Sequence, residues 1–131
     1  MRVIIAGSRD GFTEDSVHAF LTLIAVPFFD DFVNSRGITE VVCGMARGVD
    51  LFGKSWAENH DIPVKKFPAD WDNLGKAAGP IRNQQMAEYA DALVAFRINN
   101  SRGTSDMIER AETMGLHILS LNKMVTHGKG F

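Results

Sequence analysis

A single cysteine, Cys43, occurs among 131 residues, which excludes an internal disulfide and fits a reducing cytoplasm. The sequence has no run of about 18 apolar residues. No basic segment leads into an apolar one at its start, so neither a membrane span nor a secretory signal is expected. An excess of one charge is missing too, since 14 Lys and Arg against 16 Asp and Glu leave a net charge of −2. That balance argues against gripping nucleic acid by phosphate neutralisation. The histidines His18, His60, His117 and His127 fall on separate segments without ligand spacing, so no metal is expected. The composition is otherwise ordinary: 45% hydrophobic and 23% charged residues describe a globular chain that can bury a core. No linker or repeat divides it. One domain over residues 1–121 and a loose tail over 122–131 are expected.

The elements alternate along the chain. Met1–Ala6 is a short apolar run ending at Gly7, which reads as a buried parallel strand. Thr13 suits the N-cap of a helix carrying Val17, Leu21, Ile24, Phe28 and Phe32 on one face. Pro27 predicts a kink or split in it. Phe20, Leu23 and Phe29 give the same helix a second apolar face, which predicts a homodimer with one face covered by the partner copy, the rival being a kinked helix packed on both sides within one chain. Gly37 ends the helix, and Ile38–Cys43 is a second strand. A helix over Val49–Asn59, a strand over Ile62–Phe67 and a polar loop over Pro68–Ala78 follow. Pro80 suits the first turn of a helix through Tyr89. Ala92–Phe96, a helix over Thr104–Met114 closed by Gly115, and Leu116–Leu121 complete the series. The pattern predicts a doubly wound α/β domain with a mainly parallel sheet of about five strands and right-handed crossovers. Ligands in such folds sit beyond the carboxyl ends of the strands.

Every chemistry-bearing motif falls at such an end. Gly7-Ser8-Arg9 follows the first strand: a sharp turn, a hydroxyl and a forked cation for phosphate or carboxylate. It is not the GxGxxG dinucleotide fingerprint. Gly44, Arg47 and Gly48 surround the turn after the second strand, where backbone N–H groups can cradle an anion. Asp50 is either part of that cradle or a favourable charge at a helix start. The Lys-Ser or Lys-Thr pair of a Walker A loop is absent. Trp71 in the long loop can stack on a base or simply pack on the domain edge. Gly79 leads into a helix in whose first turn Arg82 and Asn83 are expected. A cation there opposes the helix dipole and points to a nearby anion. Gly103 and Thr104 open the last helix with free N–H groups and a hydroxyl, and Arg102 before them is a further candidate for binding phosphate. Asp106, also expected near that helix start, pairs with Arg82 as the candidate catalytic couple.

Four stretches, AGSRD (6–10), GMARGVD (44–50), 67–96 and SRGTSDMIE (101–109), occur together in order. Through them the chain resembles the SLOG superfamily, and most closely its small single-domain YspA-like branch of bacteria and phages. The resemblance covers Arg2 to about Leu119. It implies a Rossmann-like three-layer sandwich that binds nucleotides or nucleotide-derived small molecules. Within that superfamily, the LOG enzymes cleave the N-glycosidic bond of a nucleoside monophosphate. Their Arg, Met and Ala-Asp motif matches Arg82, Met86, Ala90 and Asp91, and their phosphate turn matches Gly103 and Thr104. Their catalytic Glu is replaced by Asp106, and their PGG by Asn100-Ser101-Arg102. GMARGVD is also similar to a stretch of the DNA-processing protein A family, with Met45 in place of a glycine.

Three functions follow. The chain binds a nucleotide-derived ligand as a sensor or sequestering protein; or it hydrolyses a nucleotide N-glycosidic bond through Arg82 and Asp106; or it binds single-stranded DNA, which its acidic balance disfavours. No cofactor is expected. Nucleic acid and membrane are not expected partners.

Overall fold

Strand β1 (Arg2–Gly7) forms where four consecutive apolar residues, Val3 to Ala6, are buried. Such continuous burial requires cover on both faces. The computed structural model, which describes residues 1–31 and 37–125, supplies that cover. Beside β1 lie β2 (Glu40–Cys43), β3 (Val64–Lys66), β4 (Ala92–Ile98) and β5 (His117–Lys123), in the order β3-β2-β1-β4-β5. All four pairings are parallel. Helices α1 (Glu14–Phe20), α2 (Val26–Asp30) and α3 (Val49–Asn59) share one core with Val3, Ile5 and Val94. Helices α5 (Ala78–Tyr89) and α6 (Arg102–Thr113) share the other with Ile4, Val42 and Leu93. Successive strand residues face opposite layers, so this is the expected three-layer sandwich.

The first helix departs from its expected stripe. A five-residue π-helical stretch, Leu21–Ala25, joins α1 to α2 immediately before Pro27, and the Val26 N–H reaches back to Leu21 O. Proline supplies no N–H and displaces the carbonyl four residues earlier, and a wider turn absorbs both effects. The wider turn also resets the face. The buried residues are Val17, Leu21, Ala25 and Phe29, four apart, while Ile24 and Phe28 stand exposed with Leu23. Phe32, His127 and residues 126–131 of the expected tail lie outside the described residues.

Other boundaries move by smaller amounts. The segment read as a polar loop over 68–78 holds a short helix α4 (Trp71–Leu74), capped by Asp70 accepting from Asn73 N, and a 3₁₀ turn. Because α5 begins at Ala78 and α6 at Arg102, Arg82 and Asp106 each lie one turn inside their helix, not in its first turn. Strand β5 continues to Lys123, beyond the expected end at Leu121, because it pairs with a β4 that itself runs to Ile98. Among the described residues no helix is long and apolar enough to cross a membrane.

The strand order reverses at β1. The chain steps outward to β2 and β3, then returns across the sheet to place β4 on the other side of β1. That reversal opens a crevice at the carboxyl ends of β1 and β4.

Candidate functional site

The crevice is closed at its base by one serine. Ser8 donates its backbone N–H to Phe96 O (2.9 Å), and its Oγ accepts from Ile98 N (3.0 Å). The same Oγ shares a hydrogen bond of 2.8 Å with Ser101 Oγ. Ser101 is the N-cap of α6, a position where a serine hydroxyl ordinarily accepts from the first turn. Here it makes no capping hydrogen bond. The N–H groups of Arg102, Gly103 and Thr104 therefore have no acceptor among the described residues. A helix of twelve residues turns an uncapped N-terminus toward the cavity.

That cavity has a volume of about 540 Å³. Ser8, Arg9 and Asp50 line it from the β1 and β2 side, Trp71, Lys76, Gly79 and Arg82 from the β3–α5 side. Arg102, Gly103, Thr104 and Asp106 line it from α6.

Asp50 is buried, with Oδ1 accepting from Gly7 N and Oδ2 from Ala46 N, both at 3.3 Å. Burial pushes its carboxyl up to about 6, against the opposing pull of Arg82, the two N–H groups and Arg9. Arg82 NH1 donates to Gly44 O, and its Nε donates to Asn83 Oδ1 at 3.0 Å. A Cβ on Gly44 would lie 2.7 Å from Arg82 NH1 and 2.8 Å from Asp50 Oδ2. Only glycine lets those two charged groups approach there.

The polar chain continues across two helices. Asn83 Nδ2 donates to Asp106 Oδ2 (2.9 Å) and, more weakly, to Gly103 O (3.4 Å). Asp106 Oδ2 also accepts from Arg110 Nε at 2.9 Å, and Arg110 NH1 donates to Gln84 Oε1 at 3.1 Å. The expected Arg82–Asp106 couple is thus joined through the amide of Asn83, not by direct contact.

The rim is cationic. Arg9, Lys76 and Arg102 are exposed and make no ion pair with the described residues, whereas Arg47, Lys54 and Arg110 are each paired with a carboxylate. Trp71 is 50% exposed, and its ring edge lies 3.3 Å from where a Cβ on Gly79 would stand.

Three sequence candidates lie off the cavity wall. Arg47 is turned away and bound to Asp10 at 2.9 Å, an exposed pair. Gly48 has φ +83°, and a Cβ on it would meet the backbone carbonyl of Arg9. It packs the loop that carries Arg9, and Gly44 likewise acts through Arg82. Conversely, Lys76, Ser101 and Arg110 were not among the sequence candidates. Arg110 stands four residues after Asp106, a spacing that signals an ion pair on a helix, and Ser101 stands at a legible N-cap position. Lys76 carries no sequence signal of its own. No cluster of metal-binding side chains occurs among the described residues.

A parallel five-stranded sheet, wound on both faces, with its polar loops gathered where the strand order reverses, defines a Rossmann-like domain. The chain belongs to the YspA, cpYpsA-related SLOG family, whose model matches residues 1–73. It is 31% identical over 125 residues to the Gene 61 protein of Mycobacterium phage D29, covering 91% of this chain and 94% of that protein. No solved structure matches it.

Proposed function

We propose that this protein binds a nucleotide or nucleotide-derived small molecule, as a sensor or sequestering protein of the cytoplasm, and that it does so as a homodimer. The observation that carries the ligand class is the uncapped N-terminus of α6 on a cavity rimmed by Arg9, Lys76 and Arg102. Free N–H groups at a helix start, next to unpaired cations, form an anion site. An apolar-edged cavity with a half-exposed Trp71 suits the remainder of a nucleotide. Arg82, held by Gly44 O and Asn83, presents its remaining N–H groups without reorganising.

Calorimetric titration with nucleoside monophosphates tests this reading. Binding is expected for the wild type, and Arg82→Ala is expected to weaken it more than Arg102→Ala. The fixed guanidinium has its geometry set in advance, and loss of one charge-assisted contact costs about 1.5–3 kcal/mol. Unchanged affinity in Arg82→Ala removes that residue from the site.

One feature favours hydrolysis of the N-glycosidic bond as a second reading. Asp106 lines the cavity with a paired cation behind it, which suits a carboxylate stabilising an oxocarbenium-like centre. Release of free base by the wild type, abolished in Asp106→Asn with ligand affinity nearly intact, would establish it. The shorter Asp in place of Glu and the missing PGG support the binding reading.

A further inference from the structure

Two carboxylates line the cavity, and they are held in opposite ways. Asp106 is partly exposed and ion-paired, its Oδ2 accepting from Arg110 Nε and from Asn83 Nδ2, both at 2.9 Å. Asp50 is only 5% exposed and has no ion pair among the described residues. Backbone groups hold it, Gly7 N on Oδ1 and Ala46 N on Oδ2, both at 3.3 Å. Met45, just before Ala46, has φ +65°, a left-handed turn from which the Ala46 N–H reaches the carboxylate. One buried acid thus ties the loop after β2 to the end of β1 beneath the cavity.

The charges that face Asp50 come from every neighbouring element. From α5, Arg82 meets it over Gly44, where a Cβ would lie 2.7 Å from Arg82 Nη1 and 2.8 Å from Asp50 Oδ2. From the loop after β1, Arg9 adds an exposed cation. On β2 the Cys43 thiol donates to Asp50 O at 3.3 Å, and burial pushes it up to about 11, so it carries no charge. Lys54 on the same helix is taken by Glu58, and α6 contributes Asp106 on the cavity wall. Arg82 and Arg9 favour the ionised acid, burial opposes it, and the carboxyl stands at about 6. An anion in the cavity draws on both arginines and adds a like charge. Both effects drive the acid toward its neutral form. Asp106 keeps Arg110 as its own cation, whereas Asp50 has none to keep.

Resting on the nucleotide reading above, we propose that Asp50 is a positioning residue of the anion site and that it takes up a proton when a nucleotide phosphate binds. The neutral acid still accepts from Gly7 N and Ala46 N, so both loops keep their places. It gains an O–H donor and stops competing with the ligand for Arg82 and Arg9. Affinity should therefore fall as pH rises above about 6, by up to about tenfold per pH unit.

Calorimetry of AMP with wild type at about pH 7.5, repeated in buffers of different ionisation enthalpy, counts the protons taken up. The second ionisation of a phosphate, at about 6, is nearly complete there. Uptake of more than about half a proton per site is expected. Asp50→Asn should abolish that uptake and flatten the fall of affinity with pH. Uptake that persists in the variant assigns the proton to another group and overturns the proposal. A merely structural Asp50 would weaken binding equally at every pH and lower the melting temperature, which overturns it too. Should the variant fail to fold, the carboxyl ¹³C resonance of Asp50 in wild type decides the matter: with AMP bound it should keep its protonated shift at a pH where the free protein shows the ionised one. An ionised Asp50 in the complex, or AMP bound with no proton uptake, overturns the coupling and leaves nucleotide binding intact. Absence of binding to every nucleotide rejects the functional reading and this inference with it.

Discussion

At the scale of single residues, Asp50 is the group whose surroundings most alter its chemistry. Its carboxyl is raised from 3.8 to about 6 because burial outweighs the stabilisation from Arg82, Ala46 N, Gly7 N and Arg9. Well below pH 3.8 the carboxyl carries a proton whether the chain is folded or not. Between about 4 and 6 the folded chain keeps a proton that the unfolded chain has lost. Asp50 therefore contributes less to stability as pH rises through that window. Urea unfolding of wild type and Asp50→Asn across it isolates the effect, because other carboxylates cancel in the difference. The stability of wild type relative to the variant should fall by up to about 3 kcal/mol from pH 4 to pH 6.5. A constant difference would mean that Asp50 titrates as an exposed aspartate does. The sequence left this residue open between an anion cradle and a helix-start charge. It could not show that the carboxylate spans from α3 to Gly7 on β1, because that contact joins residues 43 apart. Asn83 was legible as a candidate by its place beside Arg82, and it lines the cavity. Its actual part, joining Arg82 to Asp106, depends on how α5 packs on α6.

At the scale of elements, two glycines separate folding from binding. Gly48 caps α3 with φ +83° and ψ −131°, a conformation close to the glycine-only region. Any Cβ there would press on the Arg9 carbonyl. Gly48→Ala is expected to cost about 1–3 kcal/mol of stability. Gly103 sits in the first turn of α6 with nothing within 4 Å of its Cβ direction. Gly103→Ala should leave stability unchanged or raise it by about 0.5 kcal/mol. It should also weaken nucleotide binding by roughly tenfold, or about 1.4 kcal/mol, by crowding the uncapped N–H groups. Thermal melts paired with titrations read both effects, and intact binding in Gly103→Ala would put the ligand elsewhere. Element boundaries were most legible where chain punctuation is strongest: α3 occupies Val49–Asn59, as its preceding glycine turn predicts. They were least legible where periodicity itself changes. A pattern read at 3.6 residues per turn places Ile24 and Phe28 inside, whereas the π-helical turn ahead of Pro27 carries the buried face through Ala25 to Phe29.

At the scale of the whole molecule, that reset face matters for assembly. Leu23 is 70% exposed and Ile24 48%, side by side on the helical segment packed against the sheet. Apolar side chains grouped in this way mark a contact surface more often than a solvated one. Light scattering at micromolar concentration should give twice the chain mass of 14.4 kDa. Leu23→Lys with Ile24→Lys should return it to the single-chain value without loss of fold. A wild type that scatters as one chain would reject the dimer. The sheet and its two covered faces were readable from the alternation of apolar runs with helical stripes. The cavity was not, because its walls come from four loops, one of which, over 68–78, was read as lacking structure and instead holds α4 and Trp71.

Strand β1 carries a consequence for the order in which the protein is made. It is made before the other four strands, yet its second neighbour, β4, follows only after β2, α3, β3 and α5. The hydroxyls of Ser8 and Ser101, which join at the base of the crevice, are 93 residues apart. Until β4 emerges, one long edge of an apolar strand stands open to any other extended chain. A translation product halted before Ala92 would have β1, β2 and β3 but no crevice, and its open edge would favour aggregation. The cavity's walls are thus complete only once β4 and the start of α6 have followed the other three strands.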